Sequence, residues 1–196
     1  MNKTKIFILS ALFLVFALSA QTLVKTKAGI LVSSGKELMK LKSNSVLKTD
    51  DKYRILLKPD SGGYGYFVMV TGSTAKLLTS GRAYKDQILA YPGNGDFMKA
   101  PGKGSHNIHL LFSLKKLTEI ENLFKSKNEV KADAFNNVLK KLKKNKQSVV
   151  DDSQVDISIA GNVRGEADKR DKEFLQKLKP FATKDVLMLD YSIKVK

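Results

Sequence analysis

Few residues in this chain have side chains able to do chemistry. Its two histidines, His106 and His109, both lie in SHNIHLLF, and there is no cysteine. A histidine pair can share a metal ion. The flanking Ile108, Leu110, Leu111 and Phe112, introduced by Gly104, read as a strand, whose side chains alternate between faces. Positions three apart then point to opposite sides, so the imidazoles cannot meet on one metal, and both are expected half-exposed. The acids fall into Asp50-Asp51, Asp151-Asp152 with Asp156, and Glu166, Asp168, Asp171 and Glu173. General acid–base work needs two carboxylates converging with pKa values pushed apart. These stand in expected turns and helix starts, where acids act as caps and dipole partners. Residues Asp151 to Asp156 lack the glycine and terminal glutamate of a helix–loop–helix calcium site, leaving only a looser calcium loop open. No Gly-x-Ser-x-Gly elbow exists and a cysteine nucleophile is excluded. The expectation is a non-enzyme without cofactor; a hydrolase using the carboxylates near Asp151 is the weakest reading.

The glycine-rich stretch SGGYGYFVMV, residues 61–70, raises phosphate binding. A phosphate-cradling loop must open a helix, because the helix N-terminus supplies the free N–H groups. After Gly65 the chain is aromatic and β-branched with no helical period, so these glycines read as turn residues able to take positive φ and admit neighbouring backbone. Lys103 is followed by Gly104, which also breaks the phosphate-loop pattern.

The elements that hold these residues follow from periodicity. In KYRILLKP, Tyr53, Ile55 and Leu57 alternate with Lys52, Arg54 and Lys58, the pattern of a half-buried strand, with Leu56 the exception. After the turn at 59–63, Tyr64, Tyr66, Val68 and Val70 share one face of a strand and Phe67 and Met69 the other, which suggests a central strand covered on two sides. Residues Ala75 to Thr79 return, Ser80-Gly81 breaks, and Gln87 to Tyr91 forms a short strand between glycine- and proline-marked turns. Residues His106 to Ser113 complete this half.

Helical signals start near Ser113. Thr118 and Glu121 fit a capping box ahead of Ile120, Leu123 and Phe124. A second helix carries Phe135, Val138, Leu139 and Leu142 as one stripe. A third spans roughly Asp168 to Lys179, with Phe174, Leu175 and Leu178 inward and Pro180 ending it. LMLDYSIKV, residues 187–195, alternates as a strand that returns to the sheet formed by the first half of the chain. The expected fold is mainly β with added helices (α+β): an antiparallel β-sandwich, with helices inserted at about 114–182 before a closing strand at about 185–195.

The N-terminus, MNKTKIFILSALFLVFALSAQ, has the build of a secretory signal peptide, with Lys3 and Lys5 ahead of an apolar run and small residues at Ala17, Ser19 and Ala20. Cleavage is expected after Ala20, with Ser19 the near alternative, leaving residues 21–196 as one domain; a retained anchor is the competing possibility. The chain's net charge is +16, from 35 Lys and Arg against 19 Asp and Glu. Lysine dominates the excess; only Arg54, Arg82, Arg164 and Arg170 are arginine. Arginine is the side chain that reads phosphate and base edges in pairs of hydrogen bonds, so nucleic acid is not an expected partner.

The order of motifs is the KTDDKYRILLKP segment, then Gly63-Tyr64-Gly65-Tyr66, then Tyr91-Pro92-Gly93 in AYPGNGDF, then Gly104 to Ser113 ending in LLFS before a capped helix. This resembles the exported bacterial domain-of-unknown-function family 4384 over roughly residues 38–125. His106 stands where that family has a glutamate, and the tryptophan often found near Phe97 is absent. The resemblance implies an accessory module of envelope or signalling proteins, with no established enzymatic activity.

Two binding candidates remain. Lys140, Lys141, Lys143, Lys144 and Lys146 line the polar side of the second helix and could meet anionic lipid or polysaccharide; a narrow apolar stripe is more simply a core face with its lysines in water. Tyr64 and Tyr66 share one strand face and could stack on a sugar, although such tyrosines usually belong to a core. The expected function is an exported, periplasmic or cell-surface, non-catalytic structural or interaction module that docks another envelope protein. The alternative is a basic protein recognising anionic polysaccharide or lipid headgroups.

Overall fold

Alternating side chains build two sheets that face each other across a dry interior. The computed structural model describes residues 23–143, 149–150, 167–183 and 185–196. In chain order its strands are β1 (Val24–Ser34), β2 (Glu37–Lys40), β3 (Ser45–Leu47), β4 (Lys52–Pro59), β5 (Gly63–Thr71), β6 (Thr74–Ala83) and β7 (Leu89–Tyr91). They continue as β8 (Met98–Lys99), β9 (Gly104–Ser113), β10 (Glu129–Lys131), β11 (Val149–Val150), β12 (Phe181–Thr183) and β13 (Val186–Val195). Three helices join them: α1 (Thr118–Phe124), α2 (Ala132–Lys143) and α3 (Ala167–Lys177).

One sheet runs β12–β1–β4–β7, with β2 also on β1 and β8 also on β4. The other runs β10–β6–β5–β9–β13–β11, with β3 also on β13. Ile30, Val32, Tyr53, Ile55 and Leu57 of the first sheet pack on Phe67, Ile108, Leu110, Phe112 and the odd positions 187–195 of the second. Burying each such aliphatic or phenyl side chain contributes about 1.5–3 kcal/mol. The outer faces are covered too. Ile120, Phe124, Phe135, Leu139 and Leu142 of α1 and α2 lie on Tyr66, Val68, Val70, Leu111 and Met188. Phe174 and Leu175 of α3, with Leu178 just beyond it, lie on Leu31 and Leu56. The result is a mainly β, α+β sandwich with helices on both outer faces.

The closing strand β13 pairs with β9 along its whole length, from Val186 opposite Ser113 to Val195 opposite Gly104. The central strand β5 is flanked by β6 and β9 and buried on both faces, as its two-sided apolar pattern implies.

Several expectations are corrected. Alternation locates no strand before Lys52, yet β1 is a central strand of its sheet. Ala28, Ile30, Leu31 and Val32 are all buried, so β1 has apolar residues on both faces and no two-residue period. Strand β6 runs through Ser80-Gly81 to Ala83, with a register shift opposite Phe67/Val68 absorbing the irregularity. The sandwich is not purely antiparallel, since β3 and β11 both pair with β13 in parallel. Strands β10, β11 and β12 lie within the stretch expected to be helical.

The capping box does not form either. Leu117 is the N-cap of α1 without a side-chain cap, and the Thr118 hydroxyl turns to Glu119 at 3.3 Å. Gly62, Gly63 and Gly65 do not take positive φ. They admit close neighbours instead: a Cβ on Gly63 would stand 2.5 Å from the Ser113 carbonyl oxygen, and one on Gly65 would run into Leu89.

Candidate functional site

The deepest polar cluster joins β4 to α3. Arg54 occupies the polar half of the alternation in KYRILLKP, where exposure to water is expected, but it is 3% exposed. The face it occupies is roofed by α3, and a guanidinium survives there only with a full set of acceptors. Its Nε donates to Asp171 Oδ2 at 2.9 Å, and its Nη1 donates to the carbonyls of Pro92, of Gly93 at 3.3 Å and of Asp96 at 2.8 Å. Arg170 completes the group. Its Nη2 donates to Asp171 Oδ1 at 3.1 Å and to the Gly95 carbonyl at 2.9 Å, and its guanidinium lies 4.6 Å from the Phe97 ring. Asp171, expected as a partner of the helix dipole, is instead a buried carboxylate between two guanidinium groups. The arrangement fastens α3 and the 92–97 loop to the sheet and leaves neither arginine free to grip an outside anion.

A second cluster sits under α2. His109 projects from β9 on the face opposite His106, as strand alternation requires, and both are buried rather than half-exposed. His109 Nδ1 lies 2.7 Å from Asp190 Oδ1, and Lys143 Nζ donates to Asp190 Oδ2 at 2.7 Å. The Phe135 ring meets the imidazole edge-on at 5.3 Å. Burial pushes the Asp190 carboxyl up, but the hydrogen bonds and positive charge of His109 and Lys143 outweigh it and hold the group well below the ordinary carboxylate range. A carboxylate on Nδ1 orients an imidazole as it does in a catalytic dyad. Here, however, no nucleophilic side chain among the described residues bonds to that ring. His106 bonds Thr71 Oγ1 at 2.8 Å and the Gly102 carbonyl at 2.6 Å, closing the turn before β9.

The tyrosine pair divides. Tyr66 is 1% exposed and cannot stack on a sugar, which corrects that expectation. Its hydroxyl accepts from the Leu117 amide at 3.0 Å and donates to Glu121 Oε1 at 3.1 Å, supplying the start of α1 with the partner that the missing cap would have provided. Burial, opposed by the Leu117 amide and reinforced by Glu121, pushes the Tyr66 phenol up to about 12. Tyr64 is half-buried, with Lys116 Nζ 5.6 Å from its ring centre.

The lysine row divides as well. Phe135, Leu139 and Leu142 are buried against the sheet, Lys140 and Lys141 are exposed, and Lys143 is drawn into the Asp190 pair. Lys144 and Lys146 lie outside the described residues, as do Asp151, Asp152, Asp156, Glu166 and residues 1–20. Sequence reasoning missed the Arg54–Asp171–Arg170 group. The available signal was two arginines in a chain whose basic residues are otherwise almost all lysine.

Among the described residues, no three of His, Asp and Glu gather closely enough to hold a metal ion. No helix among them is long and apolar enough to cross a membrane. An open groove of about 730 Å³ between α1, β10 and the start of α2 carries Lys127 and Lys131 beside Glu129 and Asp133, so neither sign of charge dominates it. Compared with known proteins, the chain matches no family model, no curated protein and no solved structure.

Proposed function

We propose that this protein is an exported, non-catalytic structural or interaction module of the bacterial cell envelope. The reading is carried by the use made of its buried and half-buried charged groups. Arg54, Asp171 and Arg170 bind α3 to one sheet, and His109, Asp190 and Lys143 bind α2 to the other. A general base or nucleophile must keep an atom available to substrate, whereas these groups face internal partners. Export rests on the leader-like residues 1–20 and on the resemblance to the 4384 family. The discriminating experiment is cross-linking in the native envelope, followed by identification of what is captured. A specific protein partner is the expected result. Turnover of any substrate that disappears in Asp151→Asn/Asp152→Asn would overturn the reading.

A basic protein recognising anionic polysaccharide or lipid headgroups is the second reading, favoured by the exposed Lys140 and Lys141 on α2. Binding driven by those charges weakens steeply as salt shortens the screening length to about 3 Å at 1 M. Lys140→Gln/Lys141→Gln tests it without touching the Lys143 pair. Envelope association that survives both the substitutions and the salt excludes it.

A further inference from the structure

The long strands of both sheets have borders divided among short partners. β12 and β2 share the outer side of β1, β7 and β8 share that of β4, and β11 and β3 share that of β13. β6 differs. β10 pairs with it only over Thr74–Lys76, extended by the Leu77 amide donating to the Asn128 carbonyl at 2.8 Å. From Leu78 to Ala83, no described strand lies beyond it. An open edge of that kind presents N–H and C=O groups outward, a template on which an extended segment adds as a further strand.

The side chains beside this edge suit a partner of one charge. Arg82 is the cross-strand neighbour of Tyr64, and its guanidinium lies 5.3 Å from the ring of Tyr84, which is 53% exposed. Lys116 covers the other tyrosine ring at 5.6 Å. Tyrosine and arginine are the residues that anchor protein interfaces, because they bring large contact area and directed hydrogen bonds. Arg82 is exposed and has no carboxylate partner among the described residues, so its paired donors are available to an incoming acid.

We propose that the Leu78–Ala83 edge of β6 docks an extended acidic segment of a partner protein as an added strand, with Arg82, Tyr84 and Tyr64 as its side-chain anchors. This rests on the interaction-module reading and specifies where and how that module binds. Backbone pairing supplies affinity and the alternating acids supply specificity.

The probe is an acetylated, amidated octapeptide of alternating valine and glutamate, titrated into the full chain and followed by amide hydrogen exchange. Slowed exchange confined to the outward amides of 78–83 is expected. Arg82→Glu should weaken binding about tenfold or more, as loss and reversal of a charge-assisted contact requires, without changing the unfolding midpoint. N-methylating one alternate set of peptide residues should abolish binding, and methylating the other set should leave it intact. Absence of binding, equal binding of both methylated peptides or of a valine–lysine counterpart, or protection at another edge would each overturn the proposal. A dimer joined through β6 in sedimentation would also overturn it, in favour of a second copy. Should the peptide fail while cross-linking still captures a protein through another face, the docking edge falls and the module reading stands.

Discussion

Replacing Asp171 by asparagine keeps the volume of the side chain but removes its charge and turns one of its two accepting oxygens into an NH2 donor facing a guanidinium. In the folded protein that charge lies between the guanidinium groups of Arg54 and Arg170, with side-chain exposures of 3%, 4% and 9% respectively. Without it, two buried cations face each other with only neutral acceptors, the loop carbonyls and one amide oxygen, to stabilise them. Breaking a buried pair by removing one partner costs about 3–5 kcal/mol, because the remaining charge stays desolvated. For a chain of this size, each kcal/mol lowers the melting temperature by about 2–4 °C. A drop of roughly 6–20 °C is therefore expected for Asp171→Asn. The second arm is Asp171→Asn combined with Arg54→Met. Removing one of the two stranded cations relieves the strain of removing the carboxylate, so the double variant should lose less than the sum of the singles, by about 1–3 kcal/mol. Urea unfolding monitored by circular dichroism measures all the variants on one scale. Singles that each cost under about 1 kcal/mol, or a double that is additive within about 0.5 kcal/mol, would refute the reasoning.

Three further outcomes follow from the same geometry. The folded-state pKa of Asp190 is depressed, so its stabilisation is present above the ordinary carboxylate range and is lost as pH falls toward the depressed value; Asp190→Asn should flatten the acid limb of a stability–pH curve. Tyr66→Phe leaves the buried Leu117 amide without its acceptor and should cost about 1–3 kcal/mol by urea unfolding. It should also remove from the ultraviolet titration a phenol that ionises only near pH 12. Gly63→Ala forces a methyl group against the Ser113 carbonyl at 2.5 Å, and the cost of about 1–3 kcal/mol should be read as a fall in melting temperature.

The sequence by itself determined the elements whose two faces differ: the alternation of 187–195 and the apolar stripes of α2 and α3. A single exposed or helix-facing side leaves a period that can be counted. The opposite faces of His106 and His109 were also legible, because strand geometry alone sets them. Tertiary structure decided what periodicity cannot encode. Strand β1 is covered on both sides and so carries no period, and its place between β12 and β4 depends on residues about 150 positions away. Arg54 reads as a solvent residue until α3, arriving from late in the chain, brings Asp171 over it. Lys143 reads as one lysine in a row until Asp190 draws it inward. Tyr66 reads as a core tyrosine, but that its hydroxyl meets the Leu117 amide depends on where α1 is placed. In each case local pattern gives the side a residue points to, while its burial and partner depend on which distant element covers that side.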